Sequence, residues 1–506
     1  MSVARRGRGV RGRIISTDRL DMSVTTKTGA VAQVQELWEQ AAAARATARY
    51  RQDWVDGDIP LQDKPTMPEK APHDLRKIAE TGETPNALMV VNQVSQQLKV
   101  EGIRLAESSK SAPAWDIWLR NGMSGKQIPL TKAVLGQGTS YAMVTPAVGR
   151  LDGERTAAIR LRSAMRGTAF FRDDFDEWPE FYVDVTEVNN SDGTAENFVE
   201  FVDESLVHRM SCPKGEPDKL QYIDSYRHNM DITPIQRYGL VTLDGEMRGI
   251  IEPLIGLLKR IDQDTVDRLV VQRFASWVVR TISGLKRPTA ATAEELIAVT
   301  QAMEAWLQVG DFMSSDSPDT KFGSIPATPM DGHLKARESD IRDLASIAQV
   351  PAYRMLGLSD NIGAEAIAAA DGSLQGLAGE FMTVFGEQHE GTMRLAGHAA
   401  GLSAVAQDYT SRVQWATIDN NSLQSLAQAI QMLHDDGEGI PYEMLWKKLR
   451  NWSQQDTEEA LRLREADRER RETKALLEAS MSGGPSGNNG ADTSGGRTPA
   501  GAGKAR

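Results

Sequence analysis

The sequence predicts a mainly helical α+β fold. Residues 249–282 and 364–397 keep apolar side chains at helical spacing, which predicts two rods of roughly 50 Å at about 1.5 Å per residue. Residues 157–210 instead alternate apolar and polar side chains, and Asn189–Gly193 supplies a turn, so this region predicts a lobe of β-hairpins. A chain of 506 residues is typical of about two to four domains.

The N-terminal half predicts a series of helices before that lobe. A first helix from about residue 31 to 51, rich in Ala, Gln and Glu, is stopped by Pro60. The later elements follow from helical spacing or from alternation: a helix with a strand-like tail over 86–105, helices over 114–122 and 129–136, and a strand over 140–144.

The C-terminal half predicts two long helices around a compact insertion. Pro253 falls in the first turn of the helix over 249–282, where proline is tolerated. Within the insertion, Thr292 and Glu295 have the spacing of a capping box for a helix near 293–309. The remaining elements are a helix over 335–349, a loop over 352–362, the long helix over 364–397, several short helices over 418–478 and a polar tail from 482.

Composition limits the function. The formal charge of −12 disfavours tight, static binding to DNA, because phosphate neutralisation needs clustered Lys and Arg, but an acidic wall is compatible with DNA that slides. The chain has one cysteine, Cys212, and its seven histidines are scattered, so we expect no disulfide, no metal and no cofactor. No run of about 18 apolar residues is present, so we expect no membrane span.

The first residues form a basic, glycine-rich arm. Two interpretations stay open: a disordered arm, or an arm that binds DNA or a partner. Met22 lies just before the first helical pattern and is a second candidate start.

Motifs of the common enzyme classes are missing. Gly136-Gln137-Gly138 lacks the third glycine of a dinucleotide fingerprint and precedes a strand. The segment 122–127 contains Gly-Lys without the spacing of a phosphate-binding loop, and no nucleophile elbow occurs. Asp173-Asp174 is typical of a solvated turn. We therefore expect no catalytic residues.

The order of several stretches resembles that of tailed-bacteriophage portal proteins of the siphophage group common in phages of actinobacteria. The resemblance covers roughly residues 30–470 and rests on shared order rather than on one specific motif. Gly363 replaces the family's helix-starting serine, and residues 233–239 replace its Asn/Pro-rich approach to the stem. The stretches that carry the resemblance are Tyr50–Gly57 with Pro60, Asn86–Val91 with Val100–Gly102, Trp118–Gly122 with Ala133–Tyr141, Ala348–Pro351 with Leu356-Gly357, Asn361 and Ala364–Ile367, and Gly439–Pro441 with Trp446.

The resemblance implies a ring of twelve subunits at one capsid vertex, through which double-stranded DNA is packaged and ejected. It implies a virion protein made in the host cytoplasm. Its expected partners are the large terminase subunit, the major capsid or scaffold protein and a head–tail adaptor. The implied regions are a disordered basic arm (1–29), a wing (30–248), stem helix 1 (249–282), a clip (283–334), stem helix 2 (335–350), a tunnel loop (351–362), a long wing helix (363–400), a crown (401–478) and a disordered tail (479–506).

The resemblance also implies channel residues. Tyr353, Arg354 and Asn361 fall in the implied tunnel loop, and Lys335, Arg337 and Arg342 fall on the implied second stem helix. One alternative stays open for Arg337 and Arg342, namely pairing with Glu338 or Asp343 along the helix.

Three other functions also stay open: another phage head–tail ring, a component of the packaging motor, and a host-derived helical scaffold with no role in DNA handling. The length of the chain disfavours a head–tail adaptor, and the missing phosphate-binding loop disfavours a motor ATPase.

Overall fold

The computed structural model of the chain divides into two compact units, 1–422 and 423–506. Each unit is described by itself. The structure describes residues 26–67, 73–104, 113–190, 193–275, 280–283, 292, 294–295, 297, 319, 321–324, 329–357, 364–416 and 454–482.

The first unit contains both helices and antiparallel strands. Its helices are α1 (Lys27–Asp56), α2 (His73–Glu80), α3 (Asn86–Ser95), α4 (Pro113–Arg120), α5 (Met123–Gln137), α6 (Ile255–Ala275), α7 (Asp331–Ile347), α8 (Ala352–Leu356), α9 (Ala364–Ala400) and α10 (Ser403–Ala406). Its strands are β1 (Val100–Arg104), β2 (Thr139–Val148), β3 (Arg155–Ser163), β4 (Gly167–Phe170), β5 (Phe181–Asn189), β6 (Ala195–Val202), β7 (Leu206–Pro213), β8 (Gln221–Arg227), β9 (Ile235–Gly239), β10 (Arg280–Ser283), β11 (Lys321–Ser324) and β12 (Arg412–Trp415).

Helix α1 is longer than its sequence pattern predicts. The Thr26 side chain accepts a hydrogen bond from the Gly29 amide at 3.1 Å and caps the first turn. Gly57 ends the helix in the left-handed conformation, with φ of 77°. The predicted boundary of the basic arm at residue 29 is therefore wrong, because a cap at Thr26 starts the helix at Lys27. Residues 1–25 lie outside the described part.

The β-hairpin lobe is confirmed. Strands β4 to β8 form a five-stranded antiparallel meander in sequence order, and β2 lies between β3 and β9 in a three-stranded sheet. In the β5–β6 hairpin, Asn189 faces Ala195, which is where the Asn-rich turn was expected. The apolar face of α1 packs on the meander through a core that includes Val34, Leu37 and Phe201.

The main core lies between α3, α4, α5, the three-stranded sheet and α9. Trp118 and Tyr238 are buried there, and His389 of α9 lies against both rings. Burial lowers the pKa of His389 to about 3, so the imidazole is neutral at physiological pH and serves packing. The long helix α9 agrees with the segment predicted at 364–397 and runs three residues further.

The predicted helix over 249–282 is wrong at both ends. The chain enters it through a 3-10 turn, Glu252–Leu254, and α6 covers 21 residues, a length of about 32 Å rather than 50 Å. Residues 280–283 form β10, which pairs with β11 in antiparallel register. The run Val278–Ile282 is rich in β-branched side chains, which favour a strand over a helix.

The segment from the predicted second stem helix to the long helix also differs from expectation. Helix α7 starts at Asp331, four residues before the predicted 335. The implied tunnel loop contains a short helix, α8, which Gly357 ends with φ of 68°. Asn361 lies outside the described residues, as does most of the helix expected near 293–309.

In the second unit the structure describes one helix, α11 (Gln454–Ser482). The charge-dense segment 464–472 lies within it, and Arg468 and Glu472 form an exposed ion pair one turn apart, at 2.9 Å. The boundary predicted for the disordered tail, at 479, is wrong because the helix-forming run Ala475–Ala479 continues α11. The short helices expected before residue 454 lie outside the described residues.

Candidate DNA-channel site

Helices α6 and α7 form an antiparallel pair. The Arg260 guanidinium donates to Asp340 twice, from Nε at 3.0 Å and from Nη2 at 2.6 Å. Farther along α6, Thr265 accepts from Arg337 at 3.3 Å. Because 260 meets 340 and 265 meets 337, the two helices run in opposite directions. Ile261 and Leu344 contribute buried side chains to the core beneath the pair.

Arg337 lies between these helices. Its guanidinium is partly buried, and besides Thr265 it has Arg268 and Asp262 nearby. Burial, followed by the Arg268 cation, lowers the pKa of Arg337. Pairing of Arg337 with Glu338 or Asp343 is not observed. A side chain used in this way is poorly placed to reach a phosphate outside the helix pair.

Lys335 and Arg342 occupy exposed positions on α7. Arg342 donates to Glu338 at 2.6 Å, one turn away, which confirms the alternative of pairing along the helix for this residue. Its side chain is still 62% exposed. Lys335 makes no hydrogen bond or ion pair with any described residue. These two cations are the side chains of α7 best placed to meet an external anion.

Tyr353 and Arg354 of α8 are held by α9. Arg354 Nη2 donates to Asp371 at 2.7 Å, and the Tyr353 hydroxyl donates to the second oxygen of the same carboxylate at 2.9 Å. Arg354 also donates to Gln93 of α3 at 3.1 Å and to the Tyr353 hydroxyl at 3.0 Å. Only 3% of the Asp371 side chain is exposed, against 23% for Arg354. We call these four residues the Asp371 clamp.

The chain before the clamp adopts an unusual conformation. Gln349 has φ of 55°, a left-handed backbone that costs a non-glycine residue about 1 kcal/mol or more. Its carbonyl accepts from Ser373 of α9 at 3.4 Å, and the Val350 amide returns to Ala345 at 2.9 Å. Pro351 then starts α8. The connection between α7 and α8 is therefore a fixed corner rather than an open loop.

Tyr353 and Arg354 were predicted as site residues, but their partner Asp371 was not. A signal was available: Asp371 is the one charged residue between Ala366 and Gly379 in a helix of alanine, glycine and leucine. A single carboxylate in such a buried setting requires a partner. The structure thus brings together two of the six predicted site residues, places Lys335 and Arg342 on the surface of α7, and encloses Arg337.

A second buried carboxylate fixes α6. Asp262 is 2% exposed and accepts two hydrogen bonds from Thr84, from the amide at 3.2 Å and from the hydroxyl at 3.0 Å. Burial raises the pKa of Asp262 to about 6. No local sequence pattern predicts this contact, because Thr84 is 178 residues distant in the chain.

The described part of the chain contains no group of His, Cys, Asp or Glu side chains that could hold a metal ion. None of its helices is long and apolar enough to cross a membrane.

A family model described as "Phage portal protein, SPP1 Gp6-like" matches residues 68–473 of the 506-residue chain. The chain belongs to this portal family. This confirms the resemblance seen in the order of the sequence stretches.

No curated protein matches this portal protein. Among solved structures, a chain from "Neck of native GTA particle computed with C12 symmetry" is similar at 14% identity, with a TM-score of 0.43, over 74% of this portal chain and 91% of that chain.

Proposed function

We propose that this portal protein assembles into a ring of twelve subunits at one capsid vertex and forms the passage for double-stranded DNA during packaging and ejection. The observation that carries the proposal is the family match over residues 68–473. In this proposal the wing is 30–248, the stem consists of α6 and α7, the clip is 283–334, the tunnel segment is 351–362, and the crown is 401–478.

The antiparallel pairing of α6 and α7 favours the proposed assignment of stem and clip. A stem that carries a clip requires two adjacent helices joined at one end by a separate segment. Residues 280 and 324 face each other where β10 pairs with β11, so the insertion begins and ends at one place. We propose this insertion, the clip, as the docking site for the terminase large subunit during packaging and for a head–tail adaptor afterwards. The wing and crown are proposed to face the major capsid or scaffold protein.

Weak electrostatic contacts between protein cations and DNA phosphates are compatible with the proposed passage of DNA. The protein carries a formal charge of −12, and an acidic channel wall would repel phosphate. Exposed cations such as Lys335 and Arg342 then provide contacts that are weak and repeated in every subunit. Contacts of this kind hold DNA on the axis without fixing it, because they read the backbone and no base.

Negative-stain microscopy of the purified full-length protein tests the ring. We expect class averages of a holed disc with twelve spokes. Particles without a central hole, or a solution mass corresponding to a monomer at all concentrations, would contradict the proposal. An ATPase assay on the same sample separates a portal from a motor enzyme, because a portal is expected to show no turnover above background.

Replacing Lys335 and Arg342 together by glutamine is expected to leave the ring intact and to weaken DNA retention in assembled heads. The loss should shrink as salt rises, because these contacts release counterions. The matched control is Arg468→Gln with Arg470→Gln, which removes two exposed cations from α11. Retention that equals wild type at every salt concentration would remove both residues from the channel.

A further inference from the structure

Four arginines converge where α1 meets the hairpin lobe. Arg166 Nη2 donates to the buried Asp184 at 2.9 Å, and Arg162 lies 3.5 Å from the other oxygen of that carboxylate. Arg45 of α1 stacks over Trp38 and also lies near Asp184. Arg160 shares the face of β3 that carries Arg162, two residues on. We call Arg45, Arg160, Arg162 and Arg166 the arginine cluster.

The carboxylates around the arginine cluster do not neutralise its positive charge. Its two carboxylate partners are Asp184 and Glu200, the latter 3.4 Å from Arg162, so four cations face two anions. The Arg166 side chain is 43% exposed, whereas only 20% of the Arg162 side chain is exposed. Arg160 is exposed and has no ion-pair partner among the described residues. Excess charge held in place in this way favours an anionic partner from outside the subunit.

Arg166 of the cluster precedes β4, and a turn that is rich in acidic residues and exposes apolar side chains follows the opposite end of this strand. Strand β4 is four residues long, about 13 Å, with Arg166 before its first residue and Asp173 shortly after its last. The turn 173–176 contains Phe175, whose surface is 63% exposed. The turn 243–245 lies against it, since Gly245 contacts Asp174, and Leu243 there is 94% exposed. We call 173–176 and 243–244 the acidic tip.

Cations of the same subunit lie near part of the acidic tip: Arg237 is close to Asp174 and Asp176, and Arg248 is close to Asp244. Arg237 donates to the Asp174 carbonyl and lies over Phe171, and Arg172 pairs with Glu180 rather than with the tip. The carboxylates of Asp173 and Asp176 accept only backbone amides within their own turn. Exposed apolar side chains rimmed by charge are typical of a surface that meets another protein.

We propose that the acidic tip of one subunit docks on the arginine cluster of a neighbouring copy of this chain. A closed ring requires two different surfaces on each subunit that fit each other, and opposite charges at the two ends of one strand supply such a pair. Guanidinium groups suit this role because they bind carboxylates through paired hydrogen bonds. The inference rests on the proposed ring and names one of its contacts.

Charge reversal in the full-length protein tests the contact. Arg160→Glu and Asp244→Arg each place like charges face to face, and each is expected to lower the ring fraction, measured by analytical ultracentrifugation, at least fivefold at low salt. The chain carrying both changes restores opposite charges at every contact and is expected to recover most of the ring. Lys214→Glu is the control, since it makes the same charge change at a 57% exposed side chain that directly follows β7, in the five-stranded sheet.

The outcomes are distinct. Rings of wild-type yield from both single variants would overturn the contact and leave the proposed ring standing, whereas a wild-type protein that never forms rings would overturn the proposed function. Two defective single variants without recovery in the double variant would show that the tip and the cluster do not meet. Intact rings of Arg160→Glu with reduced DNA retention would assign the cluster to phosphate instead. Circular dichroism melts verify that the exposed substitutions leave the subunit folded.

Discussion

Replacing Arg354 by alanine is expected to lower the free energy of unfolding of the portal subunit by about 3 kcal/mol. Arg354 is the cationic partner of Asp371, whose side chain is 3% exposed. Removing one partner of a buried ion pair leaves an uncompensated charge, which typically costs about 3–5 kcal/mol. The Tyr353 hydroxyl still donates to Asp371, which places the expected loss at the lower end of that range. Urea unfolding followed by tryptophan fluorescence measures the change.

The control for this experiment is Arg342→Ala. Arg342 also pairs with an acid, but on the surface and one turn away, so its loss is expected to cost about 0.3–0.5 kcal/mol. Arg354→Met combined with Asp371→Leu removes both charges and is expected to recover most of the stability. Equal losses for Arg342→Ala and Arg354→Ala would show that the Asp371 clamp is not formed.

The same variants separate two roles for Arg354. A residue that lines the channel is expected to affect DNA packaging or retention without affecting assembly. If it acts on DNA directly, Asp371→Asn releases the guanidinium and does not reduce retention. If it acts by fixing α8, Asp371→Asn and Arg354→Ala give the same retention defect. The four hydrogen bonds of the clamp favour the second outcome.

The long elements could be predicted because their signals are local. Helix α9 keeps one apolar stripe over its whole length, and periodicity within one helix needs no knowledge of the rest of the fold. The β5–β6 hairpin was likewise predictable from alternation around an Asn-rich turn. The end of α6 could not be predicted, because the helical spacing of apolar residues continued towards residues 280–283. These residues instead form β10, which pairs with β11 about 40 residues later in the chain.

The candidate site was less predictable than the fold, because its contacts join distant segments. Arg354 reaches Gln93 across 261 positions of the chain, and Asp262 meets Thr84 across 178. A sequence pattern gives the helix face on which a residue lies only where a clear apolar stripe exists. Lys335 and Arg337 are two positions apart on α7, yet one is exposed and the other is partly buried against α6. The packing of α6 therefore decides how far each side chain is accessible from outside the subunit.

Replacing Asp262 by asparagine is expected to stabilise the subunit at neutral pH. The pKa of this carboxyl rises from 3.8 to about 6 on folding, because burial penalises its charged form. Below about pH 4 the group is protonated in both folded and unfolded chains and the penalty is absent. Between about pH 4 and 6 the unfolded chain releases the proton first, so the stability of the wild-type protein falls as pH rises. Above about pH 6 the full penalty applies, up to about 3 kcal/mol.

Asparagine keeps an oxygen that accepts both hydrogen bonds from Thr84 and carries no charge that burial can penalise. The gain of Asp262→Asn over wild type should therefore be near zero at about pH 4 and reach about 1–3 kcal/mol at about pH 7.5, measured by denaturant unfolding at each pH. Asp267→Asn is the control, since Asp267 is exposed on the same helix and its replacement should change stability by less than about 0.5 kcal/mol. A gain that is the same at both pH values would mean that folding leaves the pKa of Asp262 unchanged. A loss at neutral pH would mean that Asp262 is held as a carboxylate by a cation such as Arg337. In that case the joint between α6 and the segment before α3 would depend on an ion pair rather than on the hydrogen bonds of Thr84.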